Sequence, residues 1–180
     1  MEFMDVIKLR KSTRSYASDD IEDDKIERML HCARLSPSWE NKQCWHFLVI
    51  KEKKTLDALS RTTFINRWIK NTPVLIVACG NPKKSDSRDG MDYFLVDVAI
   101  ALEYLVLVAT DMGVGTCWIG SFNEQKIKDI LDIPQYIRVI ALTPVGYPAK
   151  TTTFKEKAIK MITSSNQRKD IAKITHYEKW

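Results

Sequence analysis

A cluster of basic and hydroxyl residues near the N-terminus is the first feature of this 180-residue chain that could do chemistry. Arg10, Lys11 and Arg14 lie within five positions, with Ser12 and Thr13 between them. Each guanidinium can donate hydrogen bonds to two oxygens of a phosphate. The Ser12 hydroxyl can donate a further hydrogen bond, and Lys11 adds a point charge. Charge runs of this kind also commonly face water. Alone, the segment indicates either a phosphate site or a solvated basic turn.

A second candidate segment reads SPSWENKQCW over residues 36–45 and joins a predicted helix to a predicted strand. The side-chain amides of Asn41 and Gln43 both donate and accept hydrogen bonds, which suits the edge of a flat heterocyclic ring. Pro37 and Ser38 precede them on the same loop. Ser, Pro and Asn are also ordinary turn residues. The segment therefore fits either a ligand-binding loop or a plain turn.

The third candidate is GVGTCWIG, residues 113–120. Its GxGxxxxG spacing, and the helix rather than strand predicted before it, exclude the dinucleotide-binding fingerprint GxGxxG. Gly120 would allow close approach of the backbone to a flat ligand, with Trp118 and Ile119 forming an apolar wall. The alternative is a helix stop followed by a core strand.

Other chemistries leave no signal in the sequence. There is no HExxH, GxSxG, Walker A or EF-hand pattern, and the four cysteines form no CxxC pair, so no metal site is expected. The net charge of +5 arises from Lys and Arg residues interleaved with acids, which does not indicate nucleic-acid binding. Asp97, Glu103 and Asp111 interrupt the longest apolar run, which predicts a buried helix rather than a membrane span. We expect a cytoplasmic protein whose reactivity comes from an organic cofactor.

The elements that must position these segments alternate irregularly. Helical spacing and capping residues predict helices over residues 4–9, 23–33, 54–59, 63–70, 91–112 and 123–131. Asn123 can cap the last of these helices, with Ile127, Ile130 and Leu131 facing inward. Short apolar or β-branched runs predict strands over residues 45–51, 74–80, 115–120 and 137–145. The uninterrupted run VLIVACG predicts a central strand buried on both faces. No series of βαβ units is visible, so the fold class is α+β.

Together these segments resemble the nitroreductase family of flavoproteins. RKSTRSY resembles the family's Arg-Arg-Ser-x-Arg-x-Phe motif, and SPSWENKQCW resembles Ser-x-x-Asn-x-Gln-Pro-Trp. The long apolar helix leads into GVGTCWIGSF, a strand ends at GYP, and QRKDIAKITHYE resembles Arg-Lys-Pro-Leu-x-x-Ile-Val-His-Tyr-Glu. The resemblance covers most of residues 3–148 and resumes at residues 168–180.

This resemblance implies one nitroreductase-like domain over residues 1–180, with a central, mostly antiparallel sheet flanked by helices. It implies an intertwined homodimer with FMN at the interface, in which residues 149–180 wrap the partner subunit. The implied activity is ping-pong hydride transfer from NADH or NADPH to nitroaromatic, quinone or related small acceptors. Because the flavin carries the chemistry, no catalytic side chain is expected, nor is a nucleic-acid or membrane partner.

The resemblance also implies which residues bind FMN. The phosphate and ribityl chain would be held by Arg10, Lys11, Ser12 and Arg14. The residues reaching the same flavin from the other subunit would be Pro37, Ser38, Asn41 and Gln43. The isoalloxazine would be lined by Trp118, Ile119 and Gly120, and the final phosphate ligand would be Arg168.

Three departures from the family pattern bear on these assignments. Cys44 stands where proline is usual, and Lys11 stands where arginine is common. Residues 149–167 form a longer link than usual, so Lys155 or Lys157 is an alternative to Arg168 as phosphate ligand. Other functions on the same fold also stay open: ene reduction, dehalogenation, or flavin binding and redox sensing without fast turnover.

Overall fold

Five α-helices and six β-strands make up the part of the chain that this computed structural model describes, residues 1–150 and 167–180. The helices are α1 (Phe3–Leu9), α2 (Asp23–Ala33), α3 (Lys53–Ser60), α4 (Tyr93–Asp111) and α5 (Glu124–Leu131). The strands are β1 (Trp45–Ile50), β2 (Val74–Gly80), β3 (Ser87–Arg88), β4 (Met91–Asp92), β5 (Gly115–Thr116) and β6 (Arg138–Gly146). Short 3-10 helices cover Trp39–Asn41, Arg67–Asn71, Pro82–Lys84 and Ile171–Lys173.

The main sheet has the order β1-β2-β6-β5, and its neighbouring strands are all antiparallel. Every residue of β2 is buried, which confirms the central position predicted from VLIVACG. Alternate residues of β2 enter two different cores: Ile76 packs with residues of α2 and α4, whereas Val77 packs with residues of α3 and α5. The sheet therefore lies between two helical layers, in an α+β arrangement.

The long helix α4 runs through the first of these cores and packs against α2 and β2. By length and composition alone it could cross a membrane, yet these contacts are those of a core helix. Its outer side is apolar as well: Leu95, Val96 and Tyr104 are exposed. Helix α4 thus has more apolar surface than residues 1–150 bury.

Several predicted boundaries were wrong, each for a local reason. The helix expected over residues 63–70 is a 3-10 helix over Arg67–Asn71. Helix α4 begins at Tyr93 because Asp89 and Gly90 adopt positive φ angles of 51° and 80° and turn the chain into the β3–β4 hairpin. The strand expected over residues 115–120 is limited to β5.

Helix α5 agrees with the prediction at its start and departs from it on one face. The Asn123 side chain accepts a hydrogen bond from the Lys126 amide, which confirms the predicted cap. Ile127 is fully buried as expected, but Ile130 is exposed. The buried neighbour is instead Lys128, whose ammonium bonds to the Gln135 carbonyl and pairs with a Glu124 carboxylate.

The chain divides into two compact units, Met1–Lys150 and Thr151–Trp180. In the second unit the Asp170 side chain accepts a hydrogen bond from the Ala172 amide and caps the 3-10 helix there. The rings of His176 and Trp180 stack with centroids 4.5 Å apart. The extension of one domain over residues 1–180, and the wrapping of a partner by residues 149–180, stay predictions.

Candidate cofactor-binding site

The basic segment at residues 10–16 leaves α1 and lies against the end of the main sheet. The Arg10 amide closes α1 by donating to Val6. Ser12 then bridges to Thr116 of β5, and the Thr13 amide donates to the Thr116 carbonyl at 2.8 Å. Further on, Tyr16 bridges to Pro148 beyond β6. The backbone of this segment is therefore fixed by strand pairing, although the segment belongs to no regular element.

The side chains of the basic segment are available to an anion. Lys11 is exposed, while Arg10, Ser12 and Arg14 are half-buried. None of the three cations forms an ion pair with another described residue. Moreover, the Nη1 atom of Arg14 is buried without a hydrogen-bond partner among the residues that the structure describes. Buried guanidinium nitrogens normally have an acceptor, so this arrangement suits a phosphate.

A carboxyl group on α4 links the basic segment to the predicted ring-binding residues. Burial raises the pKa of Glu103, and this shift is opposed by the charge of Arg10 and by a hydrogen bond with the Trp118 side chain. Glu103 thus lies near enough to Arg10, a predicted phosphate ligand, and to Trp118, a predicted neighbour of the ring, for both to lower its pKa. The sequence did not assign Glu103 to the site; its only signal was a charge within an apolar helix.

The residues after β5 differ in what they offer a ligand. Ile119 is 3% exposed, its side chain belongs to the second core, and its amide and carbonyl both bond to Leu142. Its contact with a cofactor stays a prediction. Trp118 and Gly120 are exposed, and a Cβ placed on Gly120 would meet no atom within 4 Å. The side of Gly120 on which a Cβ would lie is therefore open.

The 36–45 loop is folded into an unusual conformation. Glu40, Asn41 and Gln43 have φ angles of 45°, 56° and 49°, in the left-handed region that non-glycine residues avoid. The Gln43 amide donates to the Ser38 hydroxyl at 3.0 Å, and its side-chain nitrogen donates to Asn41 Oδ1 at 3.1 Å. Pro37, Asn41 and Gln43 are exposed, so the loop presents them outward. Strained backbone of this kind is frequent at binding sites.

The loop is fastened to α4 by Asp97, which the sequence did not assign to the site either. Asp97 is 2% exposed, and its Oδ1 atom accepts a hydrogen bond from the Trp39 amide at 2.8 Å. The Trp39 ring packs against Tyr93 at the start of the same helix, with centroids 4.2 Å apart. The loop is thus anchored on α4, whereas the basic segment is fixed by β5.

The remaining candidate for the phosphate lies in the second unit. Arg168 is exposed, and its Nη1 atom donates to the Gln167 carbonyl at 2.8 Å. The alternatives Lys155 and Lys157 lie outside the described residues. Within those described residues there is no group of three or more His, Cys, Asp or Glu side chains suited to a metal ion.

Comparison with known proteins identifies the class to which this fold and site belong. A protein of Archaeoglobus fulgidus named as an NADH dehydrogenase/NAD(P)H nitroreductase is 31% identical over 159 residues, covering 86% of this chain and 90% of that protein. The FMN reductase [NAD(P)H] of Bacillus subtilis is 23% identical over 164 residues, covering 82% of this chain and 66% of that protein. These relatives are oxidoreductases by name.

A solved structure and a family profile indicate the same class of protein as those relatives. The crystal structure of a nitroreductase family protein from Clostridium novyi NT matches with a TM-score of 0.81 and 41% identity, covering 83% of this chain and 87% of that one. The profile of the Nitroreductase family matches residues 7–66 and 57–147. The chain therefore belongs to the nitroreductase family, and the family and the α+β fold predicted from its sequence are confirmed.

Proposed function

We propose that the chain is an FMN-dependent NAD(P)H oxidoreductase that reduces small acceptors such as nitroaromatics and quinones. The observation that carries this proposal is Arg14: a buried guanidinium nitrogen without a described partner, on a backbone segment fixed against β5. Membership of the nitroreductase family and the name of the Bacillus subtilis relative support the same cofactor.

The chain's own residues would bind and orient the cofactor. Arg14 and Arg10 would each donate paired hydrogen bonds to the phosphate, with Ser12 and Lys11 beside them. Trp118 and Gly120 would flank the flavin ring, where the open side of Gly120 admits a flat ligand. When bound, FMN would supply the redox chemistry by accepting a hydride from NADH or NADPH and passing reducing equivalents to the acceptor.

The C-terminal contribution to this site is also a proposal. Arg168 would be the last phosphate ligand, and the family pattern around QRKDIAKITHYE supports it. Pro37, Ser38, Asn41 and Gln43 would contact the flavin of a partner subunit. The assignment of these four residues requires a homodimer.

An exposed apolar surface supports dimerisation. Helix α1 packs against α4, and both present large apolar side chains to the outside. Phe3, Ile7, Leu95 and Tyr104 are 66%, 45%, 44% and 41% exposed. We call these four residues the α1–α4 patch. Large apolar side chains left exposed on two packed helices favour association, and a second copy of the chain would cover them.

The test is an absorbance spectrum of the purified protein, followed by anaerobic addition of NADH and then NADPH. Flavin bands that bleach rapidly, and return when a quinone or nitroarene is added, are the expected result and give the donor preference. Bands that NAD(P)H does not bleach would restrict the function to flavin binding or to a different flavin reaction, such as ene reduction or dehalogenation. A protein that is colourless and cannot be reconstituted with FMN would refute the proposal.

A further inference from the structure

Asp97 receives hydrogen bonds from two separate loops although it lies within an apolar helix. Besides the Trp39 amide on Oδ1, its Oδ2 atom accepts from the Ser85 hydroxyl at 3.2 Å and from the Cys44 thiol at 3.5 Å. Asp97 is 2% exposed. A carboxylate offers only acceptors, so three converging donors match its hydrogen-bonding capacity.

Two of these donors bracket the strained part of the 36–45 loop. Trp39 comes directly before the left-handed residues Glu40, Asn41 and Gln43, and Cys44 comes directly after them. Left-handed backbone at non-glycine residues persists only where surrounding contacts hold it. Bonds to one buried carboxylate at both ends supply such contacts and fix the separation of the loop's two ends.

Cys44 is suited to this role by its protonation state. Burial, followed by the charge of Asp97, raises the pKa of the Cys44 thiol to about 12. The thiol therefore keeps its proton near neutral pH and remains a donor. Proline, the residue usual at this position in the family pattern, has no side-chain donor, so the contact is made by the residue that departs from that pattern.

We propose that Asp97 is a positioning residue, whose carboxylate holds residues 39–44 of the 36–45 loop in the conformation that presents Asn41 and Gln43 to the flavin. This inference rests on the proposed FMN function. It assigns Asp97 an action on cofactor binding that is separate from its contribution to packing. A residue that only stabilised the core would change the unfolding temperature without changing the FMN affinity of the folded protein.

The test compares Asp97→Asn with Asp111→Asn, a change of the same type at the last residue of the same helix. Asparagine keeps the acceptor for Trp39 but places an amide nitrogen where the Cys44 thiol needs an acceptor, whereas the Ser85 hydroxyl can turn and accept from that nitrogen. The FMN dissociation constant of Asp97→Asn is expected to rise about tenfold, and that of Asp111→Asn to stay within about twofold. An Asp97→Asn protein that is folded and binds FMN within about twofold of the parent would overturn the proposal.

A milder pair of variants tests the positioning role of Asp97 if Asp97→Asn does not fold. Cys44→Ala removes the donor at the end of the loop, whereas Cys44→Ser restores a donor as a hydroxyl. The alanine variant is expected to bind FMN about fivefold more weakly than the serine variant. Equal FMN affinities for the two variants would contradict the assigned role.

Amide hydrogen exchange of the apoprotein separates this inference from the proposed function. If the parent chain binds no FMN, the proposed function fails, but the positioning role is still measurable. Exchange at residues 39–44 is expected to accelerate about tenfold in Asp97→Asn or Cys44→Ala, relative to Asp111→Asn. Unchanged exchange in this loop would refute the role of Asp97 whatever the cofactor.

Discussion

Asp97 and Glu103 are acidic residues withdrawn from solvent on different sides of the same helix, α4. A separation of six positions places them about 9 Å apart along the axis and about 120° apart around it. Asp97 holds the 36–45 loop, while Glu103 faces Arg10 and Trp118. Acidic residues of one helix thus lie near both candidate halves of the site but on different sides, which fits a cofactor shared between two copies.

Removal of the Arg14 guanidinium should weaken FMN binding more than removal of another arginine. Arg14→Ala is expected to raise the FMN dissociation constant roughly tenfold to a hundredfold, because a charge-assisted hydrogen bond is lost. Arg61→Ala is the matched control, since Arg61 is exposed and pairs with Asp57. Fluorescence titration of the apoproteins with FMN measures both constants, and equal affinities for the two variants would contradict a phosphate role for Arg14.

Gly120→Ala should separate cofactor binding from stability. Its Cβ would enter open space, so the free energy of unfolding of the apoprotein is expected to change by less than about 0.5 kcal/mol. FMN affinity should fall about tenfold, because the added methyl group occupies space assigned to the flavin. Urea denaturation and FMN titration check the two parts, and an unchanged FMN affinity would place the ring elsewhere.

Gly115→Ala, unlike Gly120→Ala, is expected to lower the free energy of unfolding of the apoprotein. A Cβ there would lie 2.7 Å from the Thr13 hydroxyl oxygen and 2.9 Å from its Cβ. The collision displaces the basic segment from β5 and should cost about 1–3 kcal/mol in the free energy of unfolding of the apoprotein. A Gly115→Ala apoprotein as stable as the parent in urea denaturation would show that the segment moves away without strain.

Glu103 should make the apoprotein less stable as the pH rises. Burial raises its pKa above the ordinary value of 4.5, so the folded chain retains this proton at pH values where the unfolded chain has lost it. Its contribution to stability is therefore full below about pH 4.5 and is lost as the pH rises through the folded pKa. Glu103→Gln, which keeps an acceptor for Trp118, should remove this loss and raise the free energy of unfolding at pH 7. Urea denaturation from pH 4 to 8 tests this, and parallel pH profiles for the two proteins would contradict it.

Two of the buried thiols, those of Cys44 and Cys79, should lower the stability of the apoprotein at alkaline pH. Burial raises the pKa of both Cys44 and Cys79 to about 12, from an ordinary value of 9.0. Because the unfolded chain releases these protons first, the free energy of unfolding should fall as the pH rises from about 9 to about 12. Cys79→Ala should show a shallower fall over this range than the parent chain. A fall of equal steepness in both would exclude Cys79 as a source of the pH dependence.

Charge on the α1–α4 patch should abolish dimerisation and FMN binding together. Leu95→Glu places a carboxylate in the proposed interface, where burial of an unpaired charge is costly. Ile130→Glu, on the exposed face of α5, introduces the same charge away from the patch. Sedimentation velocity should show a monomer only for Leu95→Glu. A dimeric Leu95→Glu protein with parental FMN affinity would place the interface elsewhere.

The parts of the fold that the sequence predicted depend on local signals. The apolar run of β2 is buried on both faces, and Asn123 caps α5 through a neighbouring amide. The β3–β4 hairpin also had a local signal, the Asp89–Gly90 pair, which the predicted helix start at residue 91 overlooked. The predicted core side of α5 failed at Ile130 because burial there depends on what packs against the helix.

The candidate site was predictable only where its residues form a recognisable motif. The basic segment and the 36–45 loop follow family patterns, whereas Asp97 and Glu103 follow none. Asp97 acts on Trp39, which is 58 positions away, and nothing in the sequence indicates that contact. A charge within an apolar helix signals a buried role, but its partners are determined by tertiary packing.

The strand bridges that fix the basic segment have a consequence for how the protein matures. Ser12 pairs with Thr116 and Tyr16 with Pro148, so each bridge joins parts of the chain more than a hundred residues apart. Contacts so distant in sequence close long loops and form slowly. During translation the N-terminal segment emerges well before either partner exists. Capture of the proposed cofactor would therefore be a late event in biogenesis, and a ribosome-stalled chain that ends before residue 148 would lack the scaffold for it.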